Sequence, residues 1–327
     1  MKAYLILFII FFGIHTASVA QSSSLRLIKS GTILLADPTV FTDKKMYYLY
    51  GTGSNNGFPV FRSSDLKTWE GPVGKRNGHA LLKGDSYGTK GFWAPQVFRY
   101  HRKYYMAYTA DEHIAIAESE SPLGPFIQKE FKIIEGPGKQ IDPFIFMDNG
   151  KIYLYHVRLM NGNRIFVVQL KDDLSDIVAG TAVECISATQ PWENTANANW
   201  PVAEGPTVMK HNKLYYLFYS ANDFRNINYA MGYATSVSPL GPWKKYENNP
   251  IISRNNLNIN GPGHGDFFKG MDGDLRYVFH THFSSSRISP RATVLVKSEF
   301  VKIKGEPDKM MIDTGSFRFL RMIRPSN

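Results

Sequence analysis

The sequence predicts an all-β fold, a five-bladed β-propeller with four antiparallel strands per blade. Three observations lead there. Helical periodicity is hard to find after residue 21; short runs rich in Val, Ile, Phe and Tyr are separated by Gly, Pro, Asn and Asp. The runs also recur as one unit of short strand, polar turn and aromatic strand. The five copies are DPTVFTDKKMYYLYGT from Asp37, APQVFRYHRKYYMAYTA from Ala94, DPFIFMDNGKIYLYHV from Asp142, EGPTVMKHNKLYYLFYSA from Glu204 and GHGDFFKGMDGDLRYVFHTH from Gly263. Their starts lie roughly 50 to 60 residues apart, a period that marks propeller blades.

Each unit is followed by a third strand of small or branched residues: FPVFRSS (58–64), HIAIAES (113–119), NRIFVVQL (163–170), YAMGYATS (229–236) and ATVLVKSE (292–299). A fourth element is announced by SDLKTWE (64–70), SPLGPF (121–126) and SPLGPW (238–243), which read as packing turns into the outer strand. Trp69 and Trp243 belong to these turns. With no linker and no second compositional regime, one domain is expected over residues 21–327.

Residues 1–20 read as a secretory signal peptide: Lys2, an apolar run over 4–14, and small residues at Ser18-Val19-Ala20. The mature chain is thus expected to be exported, periplasmic or secreted, with neither a membrane span nor a cysteine for a lipid anchor. The single cysteine, Cys185, allows no internal disulfide and has no catalytic setting. The net charge of +10 comes from scattered Lys and Arg rather than from a basic stripe, which argues against nucleic acid as a partner.

In a propeller the innermost strands run the same way along the central channel, so their starts meet at one mouth. That places Asp37, the Trp93-Ala94-Pro95-Gln96 group, Asp142, Glu204 and the Gly263-His264-Gly265-Asp266 group around a common pocket. The three acids are read as holding equivalent positions in different blades. Crowded, half-buried carboxylates separate in pKa and supply a proton donor beside an acceptor, as glycosidic cleavage needs. Phe92, Trp93 and Trp200 are candidate platforms for a sugar ring. The proline after the acid suits the first residue of a strand.

These motifs resemble glycoside hydrolase family 43 over essentially the whole mature chain. The resemblance implies that ADPTV carries a general base at Asp37, IDPFIF an auxiliary acid at Asp142 that tunes its partner's pKa, and AEGPTV a general acid at Glu204, working by inversion. WAPQV resembles the family's WAP motif, with Gln96 where an acid is frequent, a departure expected to touch substrate contacts. GPGHGDFF implies His264 over the channel, helping to hold a calcium ion through water; a backbone-capping role is the alternative. Arg291 in SPRATVLVK implies a sugar-facing arginine, with Arg287 as competitor. No cofactor is implied for the chemistry, and the partner is an arabinose- or xylose-containing oligo- or polysaccharide. The expected activity is exo-acting removal of pentoses, as α-L-arabinofuranosidase or β-xylosidase. A galactose-active hydrolase and a non-catalytic carbohydrate-binding propeller are the alternatives.

Several residues are given lesser parts. His79, His101 and His211 are expected to be solvated in polar turns. His280 and His282 share a strand face and are read as pocket lining or core hydrogen bonding. Glu193 receives no role, and the 187–202 insertion is read either as a wall of the pocket or as plain surface.

Overall fold

The computed structural model describes residues 28–323, and the predicted leader over 1–20 lies outside them. Five antiparallel sheets form the five blades. Their innermost strands are Ala36–Asp43, Trp93–Tyr100, Gln140–Asp148, Ala203–His211 and Gly263–Lys269. Each packs against the inner strand of the next blade, and the fifth packs against the first, so the ring closes.

The aromatic second strands are Met46–Thr52, Lys103–Ala110, Lys151–Leu159, Leu214–Ala221 and Leu275–Thr281. The third strands are Phe61–Ser63, His113–Ser119, Asn163–Leu170, Ala230–Ser236 and Ala292–Val301. In blade one the expected 58–64 strand is split. Gly57–Pro59 leaves to pair with His79–Leu82, and Phe61 starts the strand proper. Pro59 has no N–H for a continuous ladder. A fourth strand is present in blades three to five as Val183–Ile186, Lys244–Lys245 and Lys309–Phe319. In blades one and two it shrinks to the bridges Arg62–Glu70 and Glu118–Ile127.

The core lies between blades, where the alternation of each strand turns one row of side chains toward each neighbour. Second-strand residues such as Leu49, Tyr50, Met106, Tyr155 and Leu217 are fully buried there, each contributing roughly 1.5–3 kcal/mol by leaving water. The SPLGP turns are packing devices, as expected. Tyr50 of blade one donates its hydroxyl to Pro122 O (2.5 Å), and Tyr155 of blade three donates to Pro239 O in the turn of blade four. Trp69 is buried and Trp243 packs edge-on against Tyr155. Cys185 is half-buried, and burial pushes its thiol up to about 12, too high for a nucleophile.

The two ends of the described chain meet where the ring shuts. Ile33 N–H donates to Leu320 O (2.9 Å) and Trp69 N–H to Arg321 O (3.0 Å), over an apolar cluster of Ile33, Leu35, Trp69, Phe268 and Leu320. No helix among the described residues is long and apolar enough to cross a membrane.

Candidate active site

Every innermost strand begins with the same irregularity. Its register slips by one residue against the second strand of its own blade, a β-bulge. The bulge holds one residue in the left-handed region: Asp37 (φ 47°), Ala94 (46°), Asp142 (55°), Gly205 (60°) and His264 (40°). A non-glycine residue costs about 1–2 kcal/mol there, and aspartate tolerates it better than most. From the left-handed residue or the one before it, the bulges bring Asp37, Trp93, Ile141, Asp142, Glu204 and His264 to a common pocket.

This register corrects the reading of the acids. Asp37 and Asp142 are equivalent, each left-handed and followed by proline. Glu204 is not their equivalent: Gly205 takes the left-handed place, and Glu204 matches Ala36, Trp93, Ile141 and Gly263. All three acids nonetheless line one pocket of about 390 Å³, with Trp93, Trp200, His264 and Arg291 around them.

A second repeat anchors the bulges. In the preceding blade, the second-strand residue that pairs with the residue just before the left-handed one accepts the N–H of the next blade's left-handed residue. Thr52 Oγ1 takes Ala94 N–H (2.9 Å), Thr109 Oγ1 takes Asp142 N–H (2.9 Å), Ser220 Oγ takes His264 N–H (2.8 Å), and His280 Nδ1 takes Asp37 N–H (3.2 Å). The corresponding residue in blade three is Val157, opposite Ile141, and it has no acceptor to offer. Gly205 N–H donates instead to Asp142 Oδ2 (3.2 Å), so the gap in the pattern ties Asp142 to the backbone beside Glu204.

The three carboxyls sit in different fields. Asp37 Oδ1 receives Arg291 Nη1 at 3.0 Å and lies 3.3 Å from His264 Nδ1, while Oδ2 accepts from Thr52 Oγ1 at 2.7 Å. Burial alone would raise this carboxyl. Arg291, His264 and His280 together outweigh it, and Asp37 is held well below the usual carboxylate range. Asp142 is pushed well above that range, by burial first and then by the negative charges of Glu204 and Asp37. Glu204 is raised to about 7, chiefly by burial and with a contribution from Asp37. Two bonds partly offset this: Tyr229 Oη donates to Oε1 and Asn163 Nδ2 to Oε2, both at 2.9 Å. His264 is buried, and burial makes its ring less basic.

The remaining candidates divide. Trp93 (38% exposed) and Trp200 (48%) stand at the pocket wall. Phe92 does not: it is 1% exposed, packed against Phe58 and Tyr108 in the core between blades one and two. Adjacent residues at a strand's start point to opposite sides, so only one of the pair reaches the pocket. Arg291 lines the pocket with its guanidinium over Phe224 (4.5 Å), whereas Arg287 turns away onto Phe283 (3.6 Å).

Gln96 lies outside this pocket. Its side chain accepts from Ile145 N–H (2.6 Å) and donates to Ile145 O (3.2 Å), stitching blades two and three below the pocket. The channel there encloses about 30 Å³, room for a water molecule. His280 and His282 are both buried. His280 holds Asp37 N–H, while His282 Nε2 bonds Phe224 O (2.8 Å) and fixes the loop beside the pocket. His211 is paired with Asp308 (2.7 Å) and stacked on Phe300 rather than solvated.

Glu193, which had no expected role, anchors the 187–202 insertion. It is fully buried and accepts from Lys245 Nζ (2.6 Å), Tyr219 Oη (2.5 Å) and the N–H groups of Thr189 and Gln190. The far end of the insertion is pinned by Asn163 N–H to Pro201 O (2.9 Å), which brings Trp200 and Val202 to the pocket.

Glu112, Asn163 and Arg291 line the pocket and Tyr229 bonds Glu204 from behind it, and each stands at the start of a third strand or one residue before it. Of these four, sequence reasoning named only Arg291. In an up-down-up meander that start returns to the mouth where the inner strand began. Asp223, Phe224 and Arg225, also at the pocket, come from a loop whose path no pattern announces.

Known proteins share this architecture. Glycosyl hydrolases family 43 matches residues 31–302. A beta-D-galactofuranosidase of Aspergillus niger is 23% identical, over 83% of this chain and 81% of its own. The crystal structure of an endo-1,4-beta-xylanase from Bacteroides thetaiotaomicron is 40% identical, covers 92% of this chain with 100% of its own, and superposes with a TM-score of 0.82. A thermostable family-43 glycoside hydrolase of known structure is 35% identical, over 90% of this chain and 97% of its own, with a TM-score of 0.74. The chain therefore belongs to glycosyl hydrolases family 43 and is an inverting glycoside hydrolase that needs no cofactor for its chemistry.

Proposed function

We propose that the protein is an exported, exo-acting hydrolase that removes terminal pentose units from plant-type oligo- or polysaccharides, as an α-L-arabinofuranosidase, a β-xylosidase or both. Asp37 is the base, Glu204 the acid, and Asp142 the group that holds the acid's proton and position. One observation carries the assignment of roles: two carboxyls in one pocket are driven in opposite directions, Asp37 toward ionisation and Glu204 up to about 7.

The chemistry follows from that difference. Glu204 gives its proton to the glycosidic oxygen as the bond to the anomeric carbon breaks. Asp37 takes a proton from water, whose oxygen bonds the anomeric carbon from the opposite face. The sugar leaves inverted, with Asp37 protonated and Glu204 ionised; exchange with solvent resets both. Arg291 keeps Asp37 ionised until then, and Asp142, raised by burial and by the charge of Glu204, is tied to the backbone beside the acid through Gly205 N–H.

Chain-end attack is supported by the pocket's size, about 390 Å³, and by the walls that Trp200 and the 223–225 loop place around it. The Aspergillus niger relative acts on galactofuranosides by its name, so a galactose-type furanoside is the second substrate to test. Export rests on Lys2, the apolar run after it and Ser18-Val19-Ala20. A calcium ion near His264 would be structural. The described residues supply no cluster of three His, Cys, Asp or Glu side chains for one, so carbonyls and water would complete its shell. EDTA would then lower the melting temperature and leave the pH profile in place.

A screen of aryl arabinofuranoside, xyloside and galactofuranoside, with Asp37→Asn and Glu204→Gln as controls, tests the reading. Each substitution is expected to cut turnover on the preferred glycoside by about 10²–10⁴-fold with unchanged circular dichroism. Near-normal turnover in either variant removes that residue's role, and turnover of galactofuranoside alone removes the pentose assignment.

A further inference from the structure

The pocket contains a hydrogen-bonded chain that ends on the acid. Trp200 Nε1 donates to Asn163 Oδ1 (2.9 Å), and Asn163 Nδ2 donates to Glu204 Oε2 (2.9 Å). An indole N–H can only donate, so the oxygen of the Asn163 amide must face Trp200 and its NH₂ must face Glu204. Asn163 is 9% exposed and its backbone N–H is tied to Pro201 O, which holds the loop carrying Trp200 against the amide. Glu204 Oε1 meets a different kind of partner, the hydroxyl of Tyr229 at 2.9 Å, which can turn to accept a proton as readily as it donates one.

We propose that Trp200 is a positioning residue for the acid: its indole N–H locks the Asn163 amide so that Oε2 of Glu204 is held as an acceptor and the transferable proton resides on Oε1. The inference rests on Glu204 being the acid. A second consequence follows from the same chain. A locked amide that can only donate favours the ionised carboxylate, so it restrains the rise that burial imposes on Glu204.

The other groups facing Glu204 stay in place when this chain is cut. They are Asp37 and Asp142 across the pocket, Arg291 from blade five, Tyr229 from its own blade, and His264 packed against Gly205. Tyr229 is stacked on His280 and fully buried, so it does not titrate in the working range.

Trp200→Phe tests the relay, because it keeps an aromatic face toward the sugar and removes the N–H. Asn163 is then able to turn its oxygen to Glu204 and stabilise the protonated acid. The alkaline limb of kcat should move up by roughly 1–2 pH units, the size expected for losing one hydrogen bond to a charged group. Asn163→Ala should move it at least as far. Adding Trp200→Phe to Asn163→Ala should move it no further, because the effect passes through the amide.

An unmoved alkaline limb in a folded Trp200→Phe protein overturns the relay, as does an equal shift in the Asn163→Ala background. The underlying assignment is checked separately with Glu204→Gln. If Glu204 is the acid, this variant loses turnover on a glycoside with a poor leaving group far more than on a 2,4-dinitrophenyl glycoside. Equal losses remove the acid itself; unequal losses with an unmoved limb in Trp200→Phe remove only the relay.

Discussion

Replacing Arg291 by Gln should convert the base into an ordinary buried carboxyl. Arg291 Nη1 lies 3.0 Å from Asp37 Oδ1, and the two side chains are 14% and 7% exposed. With charge centres about 4 Å apart and an effective dielectric near 20, their attraction is about 4 kcal/mol. At about 1.4 kcal/mol per unit, that is an upper bound of about 3 pKa units. Water entering the space left by the guanidinium would recover part of it, so a rise of about 1–2 units is expected for Asp37.

The sign follows from the base's role. Asp37 must be ionised to take a proton from water, so the acid limb of kcat/KM should move to higher pH by that amount. Arg291→Lys, which keeps the charge, should move it much less. Stability should change with the opposite emphasis. In the wild type Asp37 is depressed, so its contribution is present above the unfolded carboxyl range, near 3.8, and is lost as pH falls through the lower folded value. In Arg291→Gln a buried carboxylate is left unpaired at pH 7, which costs about 3–5 kcal/mol, and protonation relieves that cost as pH falls. The measurements are kcat/KM from pH 3 to 8 on the preferred aryl glycoside and urea unfolding at pH 7 and pH 4. A uniform drop in kcat/KM with the acid limb in place would refute the reasoning, and would make Arg291 a sugar contact alone.

Three further outcomes are expected. The wild-type enzyme should lose kcat/KM on an alkaline limb centred near 7, where Glu204 gives up its proton; a flat profile to pH 9 would count against it as the acid. Gly205→Ala should lower stability by about 2–3 kcal/mol in denaturant titration, because its φ is +60° and the new methyl would stand 2.7 Å from the His264 ring. Phe92→Ala should cost about 3–5 kcal/mol in stability with KM little changed, whereas Trp93→Ala should raise KM and leave the melting temperature nearly in place.

The propeller is legible because each blade repeats a short strand, a polar turn and an aromatic strand, and four of the five set a proline at the strand's start (Pro38, Pro95, Pro143 and Pro206). Asp37 and Asp142 are legible for the same reason. Glu204 was found by its blade but assigned the wrong register, although the difference is written in the chain: Asp37-Pro38 and Asp142-Pro143 are adjacent pairs, while Gly205 stands between Glu204 and Pro206. Asn163 and Tyr229 were open to reading too, since they stand where Arg291 does, at the start of a third strand that returns to the mouth. The loop over 223–225 was not. Its place depends on His282 reaching Phe224 O and on Arg291 lying over the Phe224 ring, contacts between segments about 60 residues apart whose meeting no local pattern encodes. Phe92 was misread because an aromatic pair at a strand's start does not say which member faces inward.

A ring of five like blades has no preferred direction, whereas inversion at a single carbon requires one: a base on one side and an acid on the other. The chain breaks the symmetry twice at neighbouring places. Valine at 157 withholds the clasp that four other blades supply, and glycine at 205 takes the strained backbone position, which shifts the acid one residue along its strand. Five equal clasps and five equal acids would make a pocket with no sense of front or back. On the proposed roles of Asp37 and Glu204, the polarity of the reaction, and with it the face from which water arrives, follows from one missing hydroxyl and one absent side chain.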